Sequence, residues 1–284
     1  MAAGAKAGPA IRGGAADEWT HVSPDRRRQW LTVAAFAVTV IVNALANILP
    51  INGQQTGAIS DRFEVFVIPA GYVFSIWGVI YLLLAAFTID QARPSRADDA
   101  TLRRLGYLPL LTGVLNTAWL LLFQYEVFVL TVPVMIGLLV TLIRINAITF
   151  ADRRRLRDLG RWTIRLPFSV YLGWITVATI ANIAQTLDSL GFDAFGIAPT
   201  LVASVVLLLG LAIAIVFVWR FADLAYGAVI VWAYVGIAVK EASTPLVPWV
   251  AVGGAVLVAG LLALTMLTSR PPAAATMVGI RPTA

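Results

Sequence analysis

Ionisable side chains buried in apolar stretches are the first place to look for chemistry, because hydrocarbon makes them costly and function is the usual reason they persist. This sequence holds almost none. Arg144 lies near one end of an apolar stretch, where its long side chain snorkels towards the interface; Asp90 closes another stretch and Glu126 sits in a tight turn. They assemble no carboxylate pair and no proton relay, which argues against a pump or ion-coupled transporter and assigns no catalytic residue. Lys240 raises one alternative, a Schiff base to retinal. It ends its stretch beside Glu241, whereas a retinal lysine belongs at mid-span with a counter-ion at matching depth. There is no cysteine, and the single histidine, His21, lies in a polar N-terminal segment. Thiolate metal sites and histidine ligation of a metal or haem within the membrane are thereby excluded, and no cofactor is required.

Aromatic and carboxamide side chains are abundant instead. Nine tryptophans are present. Trp30, Trp162, Trp219 and Trp249 fall near the ends of apolar stretches, where tryptophan anchors to the bilayer interface. Trp77, Trp119 and Trp174 fall inside them. Asn116 and Trp119 are three positions apart and share a helix face, as do Trp77 and Tyr81, four apart. Tyr171, Trp174, Ala178 and Asn182 make a longer stripe of the same kind. Such stripes can line a cavity for a flat hydrophobic ligand, by stacking plus a few orienting hydrogen bonds. They can equally pack helix against helix, with asparagine bonding across the seam. Spacing alone leaves both open.

These residues need helices to carry them, and the composition says where those helices run. Of 284 residues, 60% are hydrophobic and 13% charged, with a mean hydropathy of +0.85. A soluble domain carries roughly twice that charged fraction. The apolar residues fall in eight blocks: 30–49, 70–89, 105–123, 127–148, 166–187, 199–219, 222–239 and 246–267. Each approaches the roughly 20 residues that cross a bilayer core as a helix. The first is too long for a secretory signal core, so it reads as an uncleaved span. The chain is therefore expected to be an all-α polytopic membrane protein with about eight spans. Residues 1–28 read as a disordered basic tail and 269–284 as a C-terminal tail.

Charge supports this parsing independently. Alternate connections hold every one of the 21 basic residues except Arg62 and Lys240. Basic loops face the cytoplasm, so both termini are expected there and the protein in the cell membrane. The net charge of +6 thus reports topology, and no nucleic-acid partner is expected. Residues 50–69 form the long external connection, either a lid over a binding cavity or a solvated connector.

Three segments resemble the tryptophan-rich sensory protein family (TspO/MBR), which includes the mitochondrial translocator protein. PAGYVFSIWGVIYLLL over 69–84 is similar to the family's proline-led span with Trp and Tyr four apart. LNTAWLLLF over 115–123 is similar to its Asn-x-x-Trp-x-x-x-Phe, and PFSVYLGWITVATIANIAQTL over 167–187 to its Pro/aromatic, Trp, Ala, Asn segment. Tyr72 stands where the family usually has tryptophan, and Ile183-Ala184-Gln185-Thr186-Leu187 replaces a terminal Ile-Trp-x-Leu-Asn. The resemblance implies a five-helix TspO-like unit over 29–188, followed by a three-span extension over 189–268. It implies a non-enzymatic binding or sensory role towards a planar tetrapyrrole such as a porphyrin or haem, in tetrapyrrole or stress regulation. Trp77, Tyr81, Asn116, Trp119, Trp174 and Asn182 would then be the ligand-binding residues. The expected partners are the lipid bilayer, a porphyrin-like hydrophobic small molecule and a second copy of the chain in a homodimer. Two other functions remain open: a transporter of hydrophobic small molecules, and a membrane-embedded lipid or isoprenoid enzyme, which would want an Asp, Glu or His cluster that the spans lack. The charge distribution sets a direct test: alkaline phosphatase fused after residue 284 is expected to be inactive and a fusion at Gln54 active, and the reverse pattern would overturn the orientation.

Overall fold

A computed structural model describes residues 23–49, 51–156 and 158–268. With no water in the bilayer core, every backbone N–H and C=O must be satisfied within the segment, which leaves the helix as the form for an apolar chain. Eight long helices follow: α1 (Pro24–Ile48), α2 (Ile76–Ala92), α3 (Leu108–Gln124), α4 (Phe128–Ala151), α5 (Leu166–Ser189), α6 (Pro199–Phe221), α7 (Leu224–Lys240) and α8 (Val247–Thr268). Among the described residues there is no strand. Six of the eight, counting the 3₁₀ turn Gly71–Ser75 that leads into α2 and the π turn Arg161–Arg165 that leads into α5, are long and apolar enough to cross a membrane. The other two, α3 and α7, have 17 residues each, about 26 Å of helix and the lower end of the spanning range. The protein is an all-α polytopic membrane protein.

Prolines mark several starts, where their missing N–H costs nothing. They stand at the first or second position of α1, α3, α5 and α6. The start of α1 differs from expectation. Ser23 caps it by accepting a hydrogen bond from the Arg26 amide at 3.3 Å, so residues 24–28, read above as tail, are its first turn. The remainder of that tail, 1–22, and the C-terminal tail 269–284 lie outside the described residues. Between α6 and α7 the chain reverses over two residues: Ala222 adopts the left-handed conformation, and Asp223 caps α7 by accepting from the Tyr226 amide at 3.1 Å.

Helix α5 is the hub. Its membrane-crossing stretch is 78% buried, against 22–39% for the other long spans, and it packs on α2, α4 and α7. Helix α1 lies against α2 and α3, and α3 against α4. The three later helices join this group chiefly through α7, while α6 leans on α8 rather than on α5. Glycines permit the closest approaches. A Cβ on Gly254 of α8 would lie 2.8 Å from the Tyr234 ring of α7, and one on Gly236 would meet Val73 at 2.1 Å. Beside Gly236 the Ala70 amide donates to its carbonyl oxygen at 3.2 Å, tying the chain before α2 to α7.

Ion pairs gather the basic connections at one end of the bundle. Asp25 pairs with Arg103 at 2.7 Å, Asp90 with Arg96 at 2.6 Å, Asp152 with Arg104, and Asp223 with Arg165 at 3.8 Å. Asp90 closes α2 as its position suggests, but it is buried there and also accepts from the Thr163 hydroxyl at 2.8 Å.

Candidate functional site

The six residues singled out by type and spacing fall on the seam that α5 makes with α2 and α3. Helix α2 brings Trp77 and Tyr81, whose rings stack with centroids 5.5 Å apart. Trp77 also meets Tyr171 at 6.0 Å and Trp174 at 6.2 Å, both edge-on, and Phe74 closes on Trp174 at 5.4 Å. Asn116 is buried, and its side-chain oxygen accepts from Asn43 of α1 at 3.1 Å. One helical turn further along α3, the Trp119 indole N–H donates to the side-chain oxygen of Asn182 at 3.4 Å, and Asn182 donates to the Thr131 hydroxyl of α4 at 2.8 Å. Trp77, Tyr81 and Trp174 thus form one aromatic cluster with Tyr171. Trp119 and Asn182 form a separate hydrogen-bonded pair, and Asn116 ties α1 to α3.

These side chains fill the seam against one another. The cavity beside them, between α1, α2, α3 and α5 and lined by Tyr81, Phe168 and Tyr171, is about 20 Å³, room for about one water. Trp174 is 2% exposed, and its indole N–H has no acceptor among the described residues.

A much larger space lies elsewhere. Between α5 and α6 is a cavity of about 510 Å³. Ile180, Ile183, Ala184 and Leu187 of α5 form one wall, and Val202, Val206, Leu209 and Ile213 of α6 the other. A third wall is Glu64–Val67, part of the connection between α1 and α2, and Asp188 and Asp193 also border it. None of the six residues above lines it. Sequence reasoning passed over its lining because α6 is apolar along its whole length, with no stripe to mark one face. The small residues Ala203 and Gly210 on its inner side were the available signal.

The connection between α1 and α2 is strapped to the helices that flank it. Gln124 of α3 donates to the Ile51 carbonyl at 2.9 Å and to that of Gln54, and accepts from Thr56 at 3.0 Å. Gln185 of α5 donates to Ser60 at 3.0 Å. Arg62 pairs with Glu126 at 2.8 Å, and this guanidinium holds the Glu126 carboxyl below the usual carboxylate range. Because that value is lowered, the contact holds above the ordinary carboxylate pKa and is lost as pH falls through the lowered one.

The fold and these seams define a multi-span α-helical membrane protein built round one buried helix. A family model described as TSPO-like protein matches residues 29–264, a stretch that reaches all eight long helices. The chain belongs to that family. The match takes in the three helices after residue 188 as well as the five before it. No curated protein and no solved structure matches the chain.

The polar seam makes its own test. Asn182→Leu removes the acceptor of Trp119 and the donor to Thr131, and an interhelical hydrogen bond within a membrane is worth about 1 kcal/mol. The thermal midpoint in detergent is expected to fall, whereas Trp249→Phe, at a site 78% exposed, leaves it in place; equal midpoints would show that the seam is held by packing alone.

Proposed function

We propose that this membrane protein binds a planar hydrophobic small molecule of the porphyrin or haem type, non-enzymatically, and serves as a receptor or sensor in tetrapyrrole or stress regulation, with both termini cytoplasmic. The observation that carries the reading is the cavity between α5 and α6. At about 510 Å³ it falls inside the range of roughly 300–1,000 Å³ for small-molecule sites, where the polar seam's 20 Å³ does not. Its walls are aliphatic from both helices, which suits a ligand recognised by burial. The ligand class follows the family resemblance. The aromatic and amide residues then act from behind: Asn182 and Trp174 fix the opposite side of α5 while Ile180 and Ile183 face the ligand. A ligand at this position lies beneath the Glu64–Val67 wall, so the external connection serves as its cover.

Neutral protoporphyrin dimethyl ester added to the purified full chain is expected to give a saturable Soret shift with tryptophan quenching. Val206→Trp fills the cavity and is expected to weaken binding by at least about tenfold, the equivalent of 1.4 kcal/mol. Saturable binding that is indifferent to Val206→Trp would move the site elsewhere, and absence of saturable binding would overturn the reading.

A further inference from the structure

We propose that the cavity between α5 and α6 opens sideways to the bilayer and holds an acyl chain of a membrane phospholipid whenever no other ligand is bound. This is the cavity read above as the site of a planar ligand, which then has to displace the chain; the chain's presence does not depend on that reading. Every lining residue belongs to α5, to the connection that follows it, to α6 or to the stretch Glu64–Val67. Helices α1 to α4, α7 and α8 contribute none. Two neighbouring helices and one strap leave a flank uncovered, and the lining side chains show it. Leu209 is 61% exposed and Ile213 57%, and Ile183 and Leu187 are exposed as well. All four are aliphatic residues of membrane-spanning helices, so what they are exposed to is hydrocarbon.

The cavity has the depth of one leaflet. It narrows where α6 meets α5: a Cβ on Gly210 would lie 2.8 Å from the Ile180 side chain. From Pro199, where α6 begins, to Gly210 is eleven residues, about 16 Å at 1.5 Å per residue. Half of a hydrocarbon core of roughly 30 Å is about 15 Å. The polar end is at the other extreme, where Asp188 in the last turn of α5 and Asp193 beyond it are exposed, the level at which head groups begin. Between these limits the helices offer branched aliphatic side chains, and the only rings in the lining, Phe66 and Phe192, come from connections. A void here would leave those side chains without dispersion partners on one side. Water does not fill it, because the aliphatic walls give a water molecule no polar partners. Closing the two helices together gains nothing from the hydrophobic effect, since lipid tails are as apolar as the side chains. A flexible hydrocarbon chain, entering from the open flank with its head group left at the Asp188 level, fills the space at no polar cost.

The test uses the full chain in phosphatidylcholine nanodiscs doped with a phosphatidylcholine that carries a diazirine midway along one acyl chain. After irradiation, adducts are counted by mass spectrometry on residues 202–213 of α6 and on α8. Neither stretch holds a carboxylate that would bias carbene insertion, and Val256, Leu257 and Leu264 of α8, exposed by 58% or more, report ordinary contact with bulk lipid. Labelling of 202–213 is expected to exceed that of α8 about fivefold, a preference of about 1 kcal/mol. Val206→Trp, which fills the cavity, is expected to bring it down to the α8 level. Leu209→Trp narrows the open flank from an exposed position that the fold tolerates, and is expected to act in the same direction; unchanged labelling of α8 shows that each variant is folded. Labelling of 202–213 no heavier than that of α8, or heavier but unaltered by Leu209→Trp, would overturn the proposal. Fivefold labelling in a protein that binds no porphyrin ester would support it and overturn the planar-ligand reading alone.

Discussion

Hydrocarbon offers a polar side chain no partner, so in a membrane-spanning bundle each carboxamide and hydroxyl must find one on its own helix or across a helix seam. That requirement organises this molecule round α5. Asn182 reaches Trp119 and Thr131; Ser169 donates to Asp223 at 2.6 Å, with Asn146 of α4 joining the same carboxylate at 3.2 Å; Asn116 links α1 to α3. Satisfying these groups pulls α3, α4 and the start of α7 onto α5. The least apolar of the long spans is consequently the most buried, and Trp174 within it becomes core.

The cavity between α5 and α6 is a by-product of the same rule. Helix α6 carries almost no polar side chain facing α5, and touches it where Gly210 lies against Ile180. Its main contacts are with α8, where Gly254 packs on the Tyr234 ring of α7, and the Tyr234 hydroxyl donates to the Leu207 carbonyl of α6 at 2.7 Å. The gap left between α5 and α6 is apolar inside, roofed by Glu64–Val67 and acidic at its mouth. The cavity is bordered by α5 of the first five helices and by the later α6, and the family match runs through both parts.

Much of this was legible in the sequence because hydrophobicity and charge are local properties. All eight helices lie where apolar blocks stand, and the four tryptophans assigned to the interface are the most exposed among the described residues, from 60% at Trp30 to 78% at Trp249. The stripes on α3 and α5 share faces as their spacing requires. Spacing fixes a face but not what stands opposite it, so the choice between packing and lining could not be made from Trp77, Tyr81 or Trp119 alone. The cavity depends on the distance between two helices, which no residue of the uniformly apolar α6 encodes by itself. Asp152 and Asp223 were likewise passed over as partners of arginine, because each pairing joins segments separated by at least a whole span.

The most direct test of where the ligand sits is covalent mapping. A porphyrin ester carrying a photoreactive diazirine is bound to the full chain, irradiated, and the labelled peptides are identified by mass spectrometry. This account predicts label on the stretch from Ile180 to Leu187 and on α6 between Val202 and Ile213, competed away by unlabelled ester. Label concentrated instead on the segments holding Trp77, Tyr81, Asn116 and Trp119 would contradict it, and would mean that the polar seam opens to admit the ligand.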